Sequence, residues 1–367
     1  MNRIWLLLTL IFLFNLSFAL PRFAVKNASS CIACHVNPTG SGLRNDYGTN
    51  VVALEELPLE RWLDDWDGYV SEHLQVGGDF RLQGIQYNDS DSTRKSAFFP
   101  MQADIYSYLK LNNHAGIFTK IGIRGSETLS TEYWVLVNNL PQNVWLRIGR
   151  TLPNYGLRVD DHTSFIRGGN YNRTILDLDR EGLLFGPYLN PPVILELGVP
   201  MFGGLQWTSS VSMGVVNSTT EELNNITTQF NYTGSIDDNI SYMTGFNYMQ
   251  EDIFTMMGVY GGFSYADFTW TFEVDQADNW INGTTTLALY DEIVWEVIQG
   301  VQLIGKYDFI DPNRDWLSGA ITRYTLGAEI YPLNIVEIKL QARINQVDLE
   351  NTNNPDPEYL IQTHFWF

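Results

Sequence analysis

The stretch IVEIKLQARIN, residues 335–345, decides the fold because apolar and polar side chains alternate along it. The apolar positions are Val336, Ile338, Leu340, Ala342 and Ile344, and the polar ones are Glu337, Lys339, Gln341 and Arg343. A period of two predicts a β-strand with one apolar and one polar face. Runs of this kind recur from about residue 74 to the end, separated by Asn, Asp, Gly and Pro.

The chain ends on another such run, EYLIQTHFWF, residues 358–367. Its large apolar side chains share one face: Tyr359, Ile361, Phe365 and Phe367. The ending resembles the last strand of outer-membrane barrel proteins, which closes in Phe. A soluble sandwich also alternates, but so apolar a terminal strand would invite aggregation there. Tryptophans near expected turns predict the aromatic girdles of a membrane barrel: Trp134, Trp145, Trp207, Trp270, Trp280, Trp295 and Trp316.

We therefore predict an all-β fold, a transmembrane antiparallel β-barrel of about 16 strands (roughly 14–18) over residues 73–367. A strand-like run is expected at 173–186. Residues 193–199 read either as a further strand or as part of a plug. The polar, Gly-rich stretch 151–172 is expected to form a loop that folds inward.

Residues 1–19 read as an export signal. Arg3 gives a positive start, an apolar run follows, and Ser17 and Ala19 supply small residues at the cleavage spacing. The alternative, a membrane anchor, needs about 20 apolar residues, more than this run provides. The sequence thus predicts export and location in the outer membrane, in contact with its lipid.

The chain has 367 residues, a formal net charge of −20 and 17% charged residues. The negative charge argues against nucleic acid as a partner and favours cationic partners. The two cysteines cannot build a disulfide framework.

Both cysteines lie in Cys31-Ile32-Ala33-Cys34-His35, which has the spacing of a c-type haem attachment motif. Two thiols three residues apart can bind the two vinyl groups of one haem, and the following imidazole can ligate its iron. A disulfide or redox pair would not need His35, and a zinc site would need more ligands. We predict one haem c held by Cys31 and Cys34, with His35 as the axial ligand.

Residues 20–72 are expected to form a small, helical, cytochrome c-like segment. A short helix is predicted within 54–70, starting near Pro58. Its Trp62 and Trp66 are candidates to pack on the haem, the alternative being an amphipathic helix that plugs the barrel mouth. His162, in a polar loop, is a candidate second iron ligand, the alternative being an ordinary hydrogen-bonded histidine.

An export signal, one haem motif and a barrel together resemble the fused monohaem cytochrome–porins of the outer membrane, whose members include ferrous-iron oxidisers. The matching residues are Arg22-Phe23-Ala24, the haem motif, Pro38 and Tyr47-Gly48. The resemblance implies electron transfer across the outer membrane, as an electron-transfer protein or iron oxidase. The expected partners are extracellular Fe(II), or another donor or acceptor, and a periplasmic cytochrome or other redox carrier.

Two other functions remain open on the sequence. One is a diffusion porin whose N-terminal segment is a plug without haem. The other is a barrel that acts as a sleeve and relay for a separate multihaem cytochrome. No spacing of Ser, His and Asp points to a hydrolase.

Overall fold

The computed structural model describes residues 21–40, 42–62, 67–88, 93–124, 128–159, 163–169, 182–183, 191–216, 222–280, 283–316, 319–348 and 356–367. The predicted export signal, Trp66 and His162 lie outside these residues.

The described part of the chain contains one short α-helix, one π-helix and seventeen strands. Helix α1 spans Pro21–Lys26 and the π-helix spans Gly48–Glu56. The strands are β1 (Tyr69–Ser71), β2 (Leu74–Asn88), β3 (Arg94–Lys110), β4 (Ala115–Arg124), β5 (Thr128–Val137), β6 (Trp145–Arg150), β7 (Val193–Pro200), β8 (Leu205–Ser212), β9 (Asn225–Ser235), β10 (Ile240–Glu251), β11 (Phe254–Tyr265), β12 (Phe268–Asp278), β13 (Thr285–Ile298), β14 (Val301–Asp311), β15 (Ile321–Leu333), β16 (Val336–Val347) and β17 (Asp356–Trp366).

Strands β2 to β17 form a closed antiparallel barrel of sixteen strands, each paired with its sequence neighbour. The last strand closes the barrel on the first, with Tyr359 opposite Gln86 and Trp366 opposite Asp79. Strand β1 is a short addition to β2. The predicted strand number is confirmed. Residues 193–199 belong to β7, and 173–186 falls almost wholly outside the described residues.

The barrel is polar inside and apolar outside, the reverse of a soluble protein. Along β16 the lumen-facing Glu337, Gln341 and Arg343 are 3–5% exposed, while the outward Leu340 and Ile344 are 42% and 45% exposed. The outward face of β17 likewise consists of the apolar side chains predicted for it. An apolar exterior on a closed barrel is stable only in lipid, because water would penalise it and hydrocarbon would not.

The predicted girdle is only partly correct. Trp270 on β12 and Trp295 on β13 are 40% and 42% exposed on the outer face, and Trp316, in the β14–β15 connection, is 60% exposed. In contrast, Trp134 and Trp145 are 2% and 1% exposed and point into the lumen. The inner face of their strands is apolar around these two tryptophans, because Ile32 and Val36 from the N-terminal part of the chain pack against that face.

We expect Leu340→Arg to destabilise the barrel by about 2–4 kcal/mol, because it puts a charge on the lipid face near the middle of β16. The free energy of unfolding into urea from phospholipid vesicles measures the effect. Leu340→Ile is the matched control and should change this free energy little. An equal, small change in both variants would contradict the assignment of this face to lipid.

The two ends of the barrel differ in the length of their connections. At the end that holds the start of β2 and the C-terminal residue, neighbouring strands are joined by short turns, such as those after Tyr265 and Ile298. The connections at the opposite end are mostly longer, and the β6–β7 connection covers residues 151–192. Barrels of this kind have short periplasmic turns and long extracellular loops.

For the described residues of 54–70, the prediction of a helix starting near Pro58 is wrong. The helical segment lies earlier, at Gly48–Glu56, and the chain is irregular from Leu57 to Trp62. Leu57 is still helical and its N–H donates to the Val52 carbonyl, but Pro58 has no N–H to continue this series, so it ends a helix here instead of starting one. No helix among the described residues is long and apolar enough to cross a membrane.

Candidate functional site: a filled lumen around the Cys-x-x-Cys-His motif

The described residues of 21–62, which we call the N-terminal plug, lie inside the barrel. Arg22 of α1 anchors the plug, since its buried guanidinium pairs with Glu329 and with Glu292 at 3.4 Å. It also donates to the Tyr331 hydroxyl at 3.0 Å. Glu292 on β13, and Glu329 and Tyr331 on β15, point into the lumen. The plug is therefore anchored by polar side chains of the inner barrel wall.

The rest of α1 is held near the short-turn end. Lys26 pairs with Glu296 at 2.6 Å, close to the end of β13. The Ser241 hydroxyl, at the start of β10, donates to the carbonyl of Val25 at 2.6 Å. The helix therefore lies across the periplasmic half of the lumen.

The far end of the plug is attached to the same barrel end. The backbone N–H of Leu59 donates to the Tyr331 carbonyl at 2.8 Å, and the Gln299 side chain donates to the Glu55 carbonyl at 2.7 Å. The backbone N–H of Trp62 donates to Asn334 at 2.9 Å. The Trp62 side chain is 64% exposed and is not among the residues that line the lumen cavity described below.

The haem motif forms a short 3-10 turn in the middle of the plug, over Cys31–Ala33. It packs between two apolar clusters. Cys34 belongs to a buried cluster with Phe23, Val52, Leu57, Tyr331 and Trp366. Ile32 and Val36 pack against aromatic side chains on the inner barrel wall: Tyr106, Phe118, Trp134 and Trp145. Trp134 and Trp145 are therefore part of the surface against which the motif packs.

Beyond the motif, the plug is tied to the barrel by a buried ion pair. Arg147 of β6 is fully buried, pairs with Glu196 of β7 at 2.6 Å and donates to the Asn37 side chain. Asn37 in turn donates to the carbonyl of Gly40 at 2.8 Å, which closes the turn after the motif. Gly40 has φ +86°, and a Cβ there would lie 3.2 Å from the Cys31 sulfur. This position therefore requires glycine.

A second layer fills the lumen from the long-loop side. The described residues of 151–169, which we call the inward loop, are fixed by Arg167, which pairs with Glu273 at 2.6 Å and Asp275 at 3.4 Å. The Ser164 hydroxyl donates to Asp308 at 2.7 Å. The prediction that this stretch folds inward is confirmed for the residues described.

A cavity lies between the plug, the inward loop and one side of the barrel wall. The plug contributes His35, Arg44, Val52 and Leu57 to its lining, and the inward loop contributes Tyr155 and Arg158. The wall of β2 to β5 contributes charged side chains: Asp79, Arg81, Asp104, Lys120 and Glu132. His364 and Trp366 of the last strand complete the lining near the short-turn end. The cavity thus reaches from the motif toward the middle of the barrel.

His364 is held in place by two carboxylates. One ring nitrogen lies 2.6 Å from Asp79 and the other 3.1 Å from Glu337. An imidazole with a carboxylate at each nitrogen donates from both nitrogens. Neither nitrogen is therefore directed at a metal ion in this arrangement.

The two thiols are free and are not activated for redox chemistry. Burial raises the pKa of Cys31. Burial, followed by the charge on Cys31, raises the pKa of Cys34 to about 12. Redox-active Cys-x-x-Cys pairs instead lower the pKa of one thiol to form a thiolate. The surroundings therefore favour a structural or attachment role over a redox pair.

His35 fits the role of a haem ligand. Burial and then Arg44 lower the pKa of its imidazole to about 4, so the ring is neutral at physiological pH, as metal ligation requires. Its Nδ1 is buried and has no hydrogen-bond partner among the described residues. With two thiols beside it and a cavity in front of it, the donor set matches a covalently held haem. No group of three or more His, Cys, Asp and Glu able to hold a metal ion occurs in the described ranges.

Docking of the plug should weaken as the pH rises. Burial raises the pKa of Glu56, on the π-helix, to about 7. A raised acid pKa favours the docked state while Glu56 is protonated, so this contribution is lost as the pH rises through 7. Because Glu56 is half exposed, we expect a loss of only about 1 kcal/mol between pH 5 and 8, or about fivefold in amide protection of residues 48–56.

Hydrogen exchange, corrected for the intrinsic rate at each pH, measures this protection. Glu56→Gln should remove the pH dependence, and Glu60→Gln, at an exposed position whose charge does not raise the pKa of Glu56, should keep it. The same pH dependence in both variants would assign the titration to another group.

Sequence reasoning missed the residues that hold the plug and the inward loop. Arg147 and Arg167 bind carboxylates 49 and 106 residues away along the chain. Only the inward direction of 151–172 was visible beforehand, from its polar, Gly-rich composition. Isolated arginines within strands and loops carry no local signal of their partners.

Neither a protein-family model nor the sequence of a curated protein matches this chain. Several solved structures are similar to it. An anion-selective porin from Comamonas acidovorans has a TM-score of 0.56 and 10% identity, and the match covers 80% of this chain and 99% of that one. The outer membrane channel DcaP of Acinetobacter baumannii has a TM-score of 0.57 and 10% identity, over 82% and 99% of the two chains. OprB of Pseudomonas putida has a TM-score of 0.57 and 9% identity, over 80% and 94%.

At these identities the similarity shows the fold. The closed sixteen-strand barrel, its apolar exterior and its polar lumen define an outer-membrane barrel of the porin type. Within that class, this chain has a lumen filled by an N-terminal plug and an inward loop.

Proposed function

We propose that this chain is a plugged outer-membrane barrel that carries one haem c on its N-terminal plug and transfers electrons across the membrane. The observation that supports it is the position of Cys31, Cys34 and His35. They lie inside the lumen on a segment anchored by buried charges, with Cys34 in a buried apolar cluster and His35 lining a cavity. A haem motif at this depth shortens the distance that electrons must cross, since the hydrocarbon layer alone is roughly 30 Å thick.

Each residue of the motif has one task. The thiols of Cys31 and Cys34 would hold the haem by adding across its two vinyl groups. One S–C bond would form per thiol, the vinyl double bond would become single, and the thiol hydrogen would move to the other carbon. His35 offers a neutral imidazole to the iron. The haem would supply one-electron chemistry at its iron.

The surroundings of the motif control water and charge. Phe23, Val52 and Trp366 exclude water from the cluster around Cys34. The Arg44 guanidinium lies 5.2 Å from the Trp366 ring centre and adds a positive charge beside His35. A positive charge in a dry site favours the reduced iron and so raises the reduction potential.

The two barrel ends suggest where the partners bind. A periplasmic cytochrome or other carrier would meet the short-turn end, beside the plug. An extracellular donor such as Fe(II) would meet the long loops, and the net charge of −20 would attract a cation there.

Trp66 and His162 remain predictions for haem packing and for the second ligand. Because plug and loop already fill the lumen, a sleeve around a separate multihaem cytochrome fits less well.

A diffusion porin with an N-terminal plug is the second candidate, and the comparisons favour it. The similar structures include an anion-selective porin and an outer membrane channel. In this case the plug would restrict solute flow, and the cysteines would have no cofactor. The plug and the porin-type barrel are common to both candidates, and the Cys-x-x-Cys-His motif is the feature that favours the first.

Haem staining of the full chain on a denaturing gel tests the proposal, with the protein made in cells competent for c-type maturation. A stained band is expected, lost in Cys34→Ala and Cys31→Ala and kept in His73→Ala, a control in an exposed turn. An unstained wild-type band, together with solute flux through reconstituted protein, would replace the first candidate by the second.

A further inference from the structure

Arg158 is a half-buried cation with no hydrogen-bond or ion-pair partner among the described residues. It lies on the inward loop, and its side chain lines the lumen cavity. Burial lowers the pKa of its guanidinium, yet arginine stays protonated in proteins. The cavity therefore holds a positive charge that has lost part of its hydration.

The carboxylates near Arg158 are already bound elsewhere. Glu132 pairs with Lys120 and accepts from the Thr151 hydroxyl at 3.1 Å. Glu196 pairs with Arg147 at 2.6 Å and accepts from the Asn154 backbone at 2.9 Å. Counting only described residues, the cations Lys120, Arg147 and Arg158 share the carboxylates Glu132 and Glu196, which leaves one positive charge in excess among these five.

The unpaired cation also adjoins the haem motif. Gly40 lies between them, because a Cβ on Gly40 would be 3.2 Å from the Cys31 sulfur and 4.0 Å from Cγ of Arg158. His35 and Arg158 line the same cavity. Whatever fills that cavity in front of His35 can therefore reach the guanidinium.

We propose that Arg158 binds a carboxylate in the lumen cavity. A guanidinium presents paired N–H donors that match the two oxygens of a carboxylate, and such contacts are strong where water is scarce. The carboxylate belongs either to a side chain of the covalently held haem or to a free anion in the lumen. The first source rests on the proposed function, and the second does not.

The first arm of the test uses the haem-loaded full chain and measures the midpoint reduction potential against pH. Arg158→Gln removes a positive charge, so the potential should fall and its carboxylate-linked pH dependence should move to higher pH. Arg158→Lys keeps the charge and should largely restore the potential. Arg314→Gln, on an exposed loop, is the matched control and should leave both quantities unchanged.

The second arm uses the haem-free Cys31→Ala/Cys34→Ala chain and titrates it with acetate by calorimetry. Arg158→Gln in this background should weaken acetate binding by about tenfold or more, because a charge-assisted contact is lost. Gel mobility with and without heating verifies that every variant retains a folded barrel.

The outcomes separate the two sources. A lower potential in Arg158→Gln, together with a move of its carboxylate-linked pH dependence to higher pH, assigns the site to the haem carboxylate. An unchanged potential, or a chain without haem, combined with acetate binding that depends on Arg158 assigns it to a free anion. If neither the potential nor acetate binding responds to Arg158, the proposal is overturned, whether or not haem staining has supported the proposed function.

Discussion

Deletion of residues 21–62 is expected to convert a nearly closed barrel into an open channel. The plug fills the periplasmic half of the lumen through α1, the motif and the segment up to Trp62. Without it, the cavity along the wall of β2 to β5 would open to the short-turn end. That wall carries both signs of charge, including Asp104, Lys120 and Glu132, so water and ions would enter it.

Single-channel conductance in planar bilayers measures this opening. The full chain should pass little current, and the deletion variant should pass a steady current limited by the inward loop. Arg22→Gln should give brief openings, because it removes the anchor to Glu292 and Glu329. Arg314→Gln, a charge change on an exposed loop, should behave as the full chain. Equal currents through the full chain and the deletion variant would show that the plug does not close the lumen.

The barrel was predictable because a period of two needs only local sequence. Strand β16 shows this most clearly, since every alternate residue from Glu337 to Asn345 faces the lumen. What the period does not reveal is which residues beyond the barrel cover a face. Trp134 and Trp145 have the spacing of girdle residues, but they point inward because the plug supplies apolar side chains for them to pack against.

The motif is visible in the sequence because Cys31, Cys34 and His35 lie within five residues, and the haem it would hold stays a prediction. The surroundings of the motif could not be predicted, because they are assembled from distant parts of the chain. Arg22 lies 307 residues from Glu329, and Ser241 lies 216 residues from Val25. The pattern of a strand predicts only that a charged side chain faces the lumen. Neighbouring residues do not show whether that side chain contacts water or the plug. The error at Pro58 has another origin: the apparent helical spacing after it suggested a helix start, but the helix lies before Pro58 and ends there because proline has no backbone N–H to donate.

Arg147 joins four parts of the molecule, and its loss should be among the most damaging single changes. From β6 it pairs with Glu196 of β7, donates to Asn37 of the plug and donates to the Leu152 carbonyl of the inward loop at 3.2 Å. Arg147 and Glu196 are both fully buried. Arg147→Met would leave the Glu196 charge without its cation, and breaking a buried pair in this way costs about 3–5 kcal/mol.

Urea unfolding in phospholipid vesicles measures this loss, and hydrogen exchange of residues 31–40 reports whether the plug is released with it. Arg147→Lys keeps the charge but not the forked geometry, so its effect should be intermediate. In the double variant Arg147→Met/Glu196→Leu no buried charge is left unpaired, so barrel stability should largely return, while protection of the plug should not, because the contact to Asn37 stays lost. If the double variant restored both, Arg147 would serve the barrel wall alone. If Arg147→Met cost less than about 1 kcal/mol, the pair would have to be hydrated rather than buried.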